Sequence, residues 1–423
     1  MDPLLPVGEP PRYAKQPTPP LGCGANMPFD HHLQQPARAA PAAHRRLRVA
    51  LFSGNYNYVR DGANMALNRL VGYLLRQGAE VLVFSPTSRR PAFEPTGELV
   101  SIPSIPFPGR AEYRVGLGLP GAVKRRLRAF KPDIVHLSAP DWLNLRAQRF
   151  ALAQGWPVVA SVHTRFDSYA KYYGLQFLLG WGHQYLRNFY GRCRQIYVPS
   201  ESMAEALRGD GILHGDMRLW ARGVDSEAFS PLGRSVDLRG QWGVDEQRPA
   251  VTFVSRLVTE KGLDCLVGAI ELLRQRGVSF RPVIVGEGPE RQRLEARLPD
   301  AVFTGFLTGA DLAQAYASSD VFFFPSATET FGNVTLEAMA SGLPAVCADA
   351  TGSRSLVQHG KTGWLCPVGK ISAFADAIQR LLEDPGLRAR MGAAAREAAL
   401  EYSWDAQLAR VHESYLELLK LRT

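Results

Sequence analysis

Two glutamates eight positions apart, Glu329 and Glu337, flank a Phe-Gly-Asn turn in "SATETFGNVTLEAMASGLPAV", residues 326–346. The preceding "DVFFFPS" reads as a buried strand, and "VTLEAMASG" as a helix stopped by Gly342. That order puts the turn at a strand's carboxyl end, where doubly wound sheets bind ligands. The amides of Phe331, Gly332 and Asn333 lie at the helix start and can donate to an anion. A carboxylate accepts two hydroxyls at once, so Glu329 suits a sugar and Glu337, one turn into the helix, suits a ribose. Residue chemistry alone leaves a plainer reading equally open, with Glu329 in solvent and Glu337 as an ordinary helix former.

A second group stands in "VSRLVTEKG", residues 254–262. Arg256 and Lys261 flank a loop that enters a helix near Gly262. Two cations beside free helical N–H groups suit a diphosphate, although loop cations that merely meet solvent are the commoner case. "VGEGPER", residues 285–291, adds glycines at another strand end, which serve either a ligand or a tight turn. Upstream, "VVASVHTRFDSY" sets His163 at a strand's end, where it could orient or deprotonate an acceptor. Gly62, in the loop 54–64, offers a further place for phosphate or substrate.

The elements that must position these residues alternate strand and helix. "LRVALFSG", the helix "MALNRLVGYLLRQG" closed by Gly78, "AEVLVFSP", "DIVHLS", "PVVASVHT" and "QIYVPS" form one series. A polar stretch over 225–248, without sustained period, reads as a linker. A second series begins at "AVTFVSRL" and includes helices over 262–276, 289–298, 311–319 and 334–341. The fold class is therefore α/β, with two doubly wound parallel-sheet domains facing across a cleft. The expected layout is a Pro-rich disordered tail at 1–46, domains at 47–230 and 231–400, and a helix at 401–423 packing back on the first domain.

"GLGLPG", residues 116–121, fits a dinucleotide fingerprint, but the proline-broken residues before it do not read as the strand that motif needs. The five cysteines form no C-x-x-C, and no D-x-D triplet supplies a carboxylate metal site, so neither metal nor resident cofactor is expected. No window approaches 18 unbroken apolar residues, which leaves no membrane span. Residues 47–235 carry a net +10 and residues 236–423 a net −3 within a total of +9. A basic first half suits an anionic partner; the basic stretch 122–131 and the aromatic, basic stretch 169–194 suggest peripheral contact with a membrane.

Together "RGVDSEAFSP", "SRLVTEKG", "VGEGPE", "VFFFPSATETFGNVTLEAMASGLPAV" and "GKTGWL" resemble the retaining glycosyltransferases of family 4, with their GT-B fold, from about residue 47 onward. Within that family they look closest to a lipid-modifying branch that includes sulfoquinovosyltransferase and α-mannosyltransferases. The resemblance implies a nucleotide diphosphate sugar donor (UDP- or GDP-linked), a lipid or glycolipid acceptor, and no metal. By position, Arg256 and Lys261 would hold the diphosphate, Glu329 the sugar, the Phe331 and Gly332 amides would assist, and Glu337 would hold the ribose. His163 would sit beside the reacting sugar and Gly62 on the acceptor side. The expected place is the cytoplasm, peripheral on the inner face of its membrane, with no nucleic acid as partner. Competing readings are a transferase with a soluble saccharide acceptor and a non-catalytic sugar-nucleotide-binding protein.

Overall fold

The computed structural model describes residues 46–59, 62–107, 110–163, 179–213 and 215–420; all but one residue of the expected tail, and residues 169–178 of the aromatic stretch, lie outside that set. Two parallel sheets dominate. The first has strands in the order β3-β2-β1-β6-β7-β8-β9. These are β1 (Arg48–Phe52), β2 (Glu80–Ser85), β3 (Glu98–Ser101), β6 (Ile134–Leu137), β7 (Val158–Ser161), β8 (Gln195–Val198) and β9 (Met217–Leu219). The second runs β12-β11-β10-β13-β14-β15. Its members are β10 (Ala250–Val254), β11 (Arg281–Val285), β12 (Val302–Gly305), β13 (Val321–Phe324), β14 (Ala345–Ala348) and β15 (Gly363–Cys366). Each sheet order reverses at its first strand, β1 or β10, the topological switch point where such sheets bind ligands.

The strands are continuous apolar runs because helices cover both faces. Every residue of β10 and of β13 is buried. Helix Leu263–Gln275 buries Leu263, Leu266, Val267, Ile270 and Leu273, a 3.6-residue stripe that packs on the second sheet. Helix Gly62–Arg76 does the same for the first sheet through Leu67, Leu70, Val71 and Leu74, and Gly78 follows with φ 81°.

Two features depart from expectation. The stretch 225–248 is not a plain linker: Ser235 caps helix Val236–Trp242, and Trp242 is buried in the second core. Its brevity hid its period. A strand does precede "GLGLPG": β5 (Arg110–Gly116), paired antiparallel with β4 (Ser104–Phe107). That hairpin stands outside both parallel sheets, so the motif still lacks the sheet context a dinucleotide needs. Helix Trp404–Lys420 belongs to the first core, where Leu408, Val411, Tyr415 and Leu418 pack with β1 and helix Gly62–Arg76. The chain crosses back close to Gly223, whose added Cβ would lie 2.5 Å from the Trp404 backbone.

Candidate active site

The carboxyl ends of β10 and β13 are adjacent, because these strands pair directly. From β10 the chain runs through Arg256 and a 3-10 turn, Thr259–Lys261, into helix Leu263–Gln275. Gly262 takes φ 74°, and its Cβ position would lie 2.6 Å from the Pro325 carbonyl oxygen, so a side chain there would push apart the two loops that form the site. Thr328 Oγ1 donates to the Glu260 carbonyl at 3.2 Å, tying the same loops together.

This packing brings Lys261 Nζ into an ion pair with Glu329 Oε1. Both side chains are largely enclosed, at 14% and 20% exposure. Salt and water therefore screen the pair less than a surface bridge. An ammonium has three donors, so Lys261 can hold Glu329 and still offer two to phosphate oxygens. Arg256, on the same loop, is exposed and stands apart from that pair. Gly332 has φ 95° and begins helix Asn333–Ala340, while Phe331 is buried and its ring lies 6.1 Å from that of Tyr402.

Glu337 lies one turn down that helix. It is half-buried, and the Tyr316 hydroxyl donates to its Oε2 at 3.2 Å. Burial of the carboxyl pushes its pKa up to about 7, and the Tyr316 hydrogen bond opposes that rise. A carboxylate held in so dry a place gains from any added hydroxyl donor, which is the chemistry a ribose diol supplies.

The first sheet meets this loop at two points. Thr330 Oγ1 donates to the His163 carbonyl at 3.2 Å, and Ser200 Oγ donates to the Thr330 carbonyl at 3.3 Å. An added Cβ on Gly62 would lie 3.0 Å from Asn333 Nδ2, so helix Gly62–Arg76 starts against the same turn. His163 is half-buried, with Ser161 Oγ 2.9 Å from Nε2 and Arg222 Nη2 2.7 Å from Nδ1. Burial first, then the Arg222 charge, holds its pKa well below the usual imidazole range. With both ring nitrogens engaged by protein groups, neither is left free to take a proton.

Lys261 and Glu329 are thus paired, Thr330 ties the next turn to the His163 backbone, Asn333 meets Gly62, Glu337 follows one turn down the same helix, and Arg256 is exposed on the loop before Lys261. The glycines of "VGEGPER" serve backbone packing: a Cβ on Gly286 would lie 1.8 Å from the Ser255 carbonyl oxygen, and on Gly288 2.3 Å from that of Leu257. Thr330, Ser161, Arg222 and Tyr316 were not foreseen. The only local signal for any of them was the placement of Thr330 between Glu329 and the turn. Among the described residues, no group of three or more His, Cys, Asp or Glu is gathered as metal ligands, and no helix is long and apolar enough to cross a membrane.

Comparison with known proteins agrees with this geometry. Residues 60–228 match the model described as Glycosyltransferase Family 4, and residues 236–398 that of Glycosyl transferases group 1. The chain is 33% identical over 382 residues to a GDP-mannose-dependent alpha-mannosyltransferase of Corynebacterium glutamicum, covering 89% of this chain and 90% of the relative. It is 34% identical over 378 residues to a sulfoquinovosyl transferase of Arabidopsis thaliana, covering 87% and 73%. Among solved structures, the sucrose-phosphate synthase of Thermosynechococcus elongatus superposes with a TM-score of 0.72 at 22% identity, over 89% of this chain and 100% of that one.

Proposed function

From the premise that the chain belongs to glycosyltransferase family 4, and is a glycosyltransferase of GT-B fold, we propose that it transfers mannose from GDP-mannose to a glycolipid acceptor with retention of configuration and without a metal ion. The observation that carries this reading is the enclosed Lys261–Glu329 pair at the meeting of two strand ends, facing the first sheet across the cleft. Lys261 and Arg256 neutralise the donor's diphosphate, assisted by the amides at Phe331 and Gly332. Glu329 accepts hydroxyls of the sugar, and Glu337 accepts those of the ribose. The acceptor hydroxyl approaches the anomeric carbon on the face the nucleotide is leaving. As the bond to the β-phosphate oxygen breaks, that oxygen takes the acceptor's proton. Stabilising charge on the departing diphosphate is the main catalytic contribution.

Mannose and GDP follow from the corynebacterial relative's name, and a lipid-linked acceptor is supported by the basic first half of the chain. The exposed Trp181, at 82%, on helix Leu179–Tyr190 fits peripheral contact with an anionic bilayer, while Phe189 and Tyr190 on the same helix are buried against the sheet. The test is radiolabelled transfer from GDP-mannose, UDP-glucose and UDP-sulfoquinovose, with and without chelator, into organic-phase or aqueous product. Chelator-resistant label from GDP-mannose, α-linked in the organic phase, is expected. Product only in the aqueous phase would assign a soluble saccharide acceptor instead.

A further inference from the structure

Behind the cleft, five polar side chains from four separate segments form one continuous hydrogen-bonded line. Arg222 Nη2 lies 2.7 Å from His163 Nδ1, and His163 Nε2 lies 2.9 Å from Ser161 Oγ. Ser161 Oγ lies 3.0 Å from His136 Nε2, and His136 Nδ1 lies 2.5 Å from the Tyr415 hydroxyl on helix Trp404–Lys420. Arg222, Ser161, His136 and Tyr415 are all buried. His136 is packed among rings, those of Tyr197 and Trp220 each 5.8 Å away and that of Tyr415 6.1 Å away.

One contact sets the tautomer of His163. A guanidinium has only donors, so His163 Nδ1 must accept and its proton must reside on Nε2. That proton points at Ser161 Oγ, which has a second lone pair and a proton of its own to offer His136 Nε2. Either Ser161 donates there and His136 Nδ1 donates to Tyr415, or His136 Nε2 donates to Ser161 and the Tyr415 hydroxyl donates to His136 Nδ1. In both arrangements His163 keeps its proton on Nε2 and His136 is neutral. A neutral His136 agrees with its burial, which depresses its pKa to about 3.

We propose that Ser161, His136 and Tyr415 are positioning residues for His163: with Arg222 they hold its ring in the cleft as the neutral Nε2–H tautomer, so that the C-terminal helix sets the first sheet's wall of the donor site. His163 is anchored at its carbonyl by Thr330 and at both ring nitrogens by this line. The chain's last described helix therefore reaches the site through hydrogen bonds rather than through apolar packing alone. The effect on turnover rests on the transferase reading above; the tautomer assignment does not.

The experiment is nitrogen NMR of the full chain labelled with 15N-histidine, comparing wild type with Ser161→Ala and Tyr415→Phe, with turnover measured beside it. The wild type is expected to show His163 protonated at Nε2 and His136 neutral. Tyr415→Phe, which removes the hydroxyl at the far end of the line, is expected to move the ring-nitrogen shifts of both histidines. Ser161→Ala is expected to leave His163 in the Nε2–H tautomer that Arg222 sets, to shift its Nε2 resonance, and to lower kcat about tenfold, with KM for the nucleotide sugar within about twofold. Protonation of wild-type His163 at Nδ1, or His163 shifts untouched by both variants, would overturn the line. The His163 tautomer as assigned but kcat unchanged in Ser161→Ala would overturn the positioning role. A wild type that transfers no sugar would overturn the functional reading, and the nitrogen spectra would still decide the line.

Discussion

The two sheets present opposite kinds of surface to the cleft. On the second sheet, Lys261 and Glu329 hold each other with donor capacity to spare, and Glu337 is a half-buried carboxyl that burial has made reluctant to ionise. On the first sheet, the His163 ring is engaged on both sides. One wall carries an enclosed ion pair and a buried carboxyl; the other carries an imidazole hydrogen-bonded at both nitrogens. That contrast suggests a division of labour, in which the second sheet grips the donor and the first supplies a fixed backstop for the sugar and a basic approach for the acceptor.

Replacing a gripping residue should cost most. Lys261→Ala and Glu329→Ala are each expected to lower kcat by about 100- to 1,000-fold, the range for removing a group that stabilises developing charge. Circular dichroism should keep the wild-type shape, with a lowered melting temperature, because removing one partner leaves the other charge of an enclosed pair uncompensated. Loss of the fold in either variant would assign the pair a structural role.

Glu337→Gln sharpens the contrast by separating binding from stability. Below about pH 4.5, folded and unfolded chains both hold the Glu337 proton; between 4.5 and about 7 only the folded chain holds it. Stability therefore falls as pH rises through that window, and the loss is complete above it. The glutamine variant lacks this fall, so its melting temperature is expected to exceed wild type's at pH 8 and to match it at pH 4. Its nucleotide affinity is expected to drop about tenfold, one charge-assisted hydrogen bond's worth. Because ribose hydroxyls favour the anion, wild-type nucleotide binding near pH 6 should release a proton, measurable by calorimetry in buffers of different ionisation enthalpy.

The smallest effect concerns the bond between the walls. Thr330→Val removes the hydroxyl that reaches the His163 carbonyl and is expected to lower kcat about three- to tenfold, as expected for one neutral hydrogen bond. A loss as large as that of Lys261→Ala would erase the distinction between grip and backstop.

The gripping wall was also the more legible one. Its residues lie within two short stretches, 254–262 and 326–346, where strand, turn and helix starts follow from apolar runs and glycines. What joins those stretches is one strand pairing, β10 with β13, which alternation of strand and helix implies. The backstop was opaque for the complementary reason. His136 and Tyr415 are 279 positions apart, and His136 looks like a polar intruder in the apolar run "DIVHLS" until Ser161 and Tyr415 are beside it. No local pattern distinguishes an aromatic that fills a core from one whose hydroxyl completes a hydrogen-bonded line. Helix Val236–Trp242 and the β4–β5 hairpin were missed because seven residues and four residues are too short to show a period.

The most direct test of the gripping wall is calorimetric titration of GDP-mannose into wild type and Lys261→Ala at low salt. Saturable one-to-one binding to wild type, weakened at least tenfold in the variant while its circular dichroism shows the fold preserved, is the predicted result. Equal affinity in the two proteins would contradict the account, because the donor's diphosphate would then lie somewhere other than between β10 and β13.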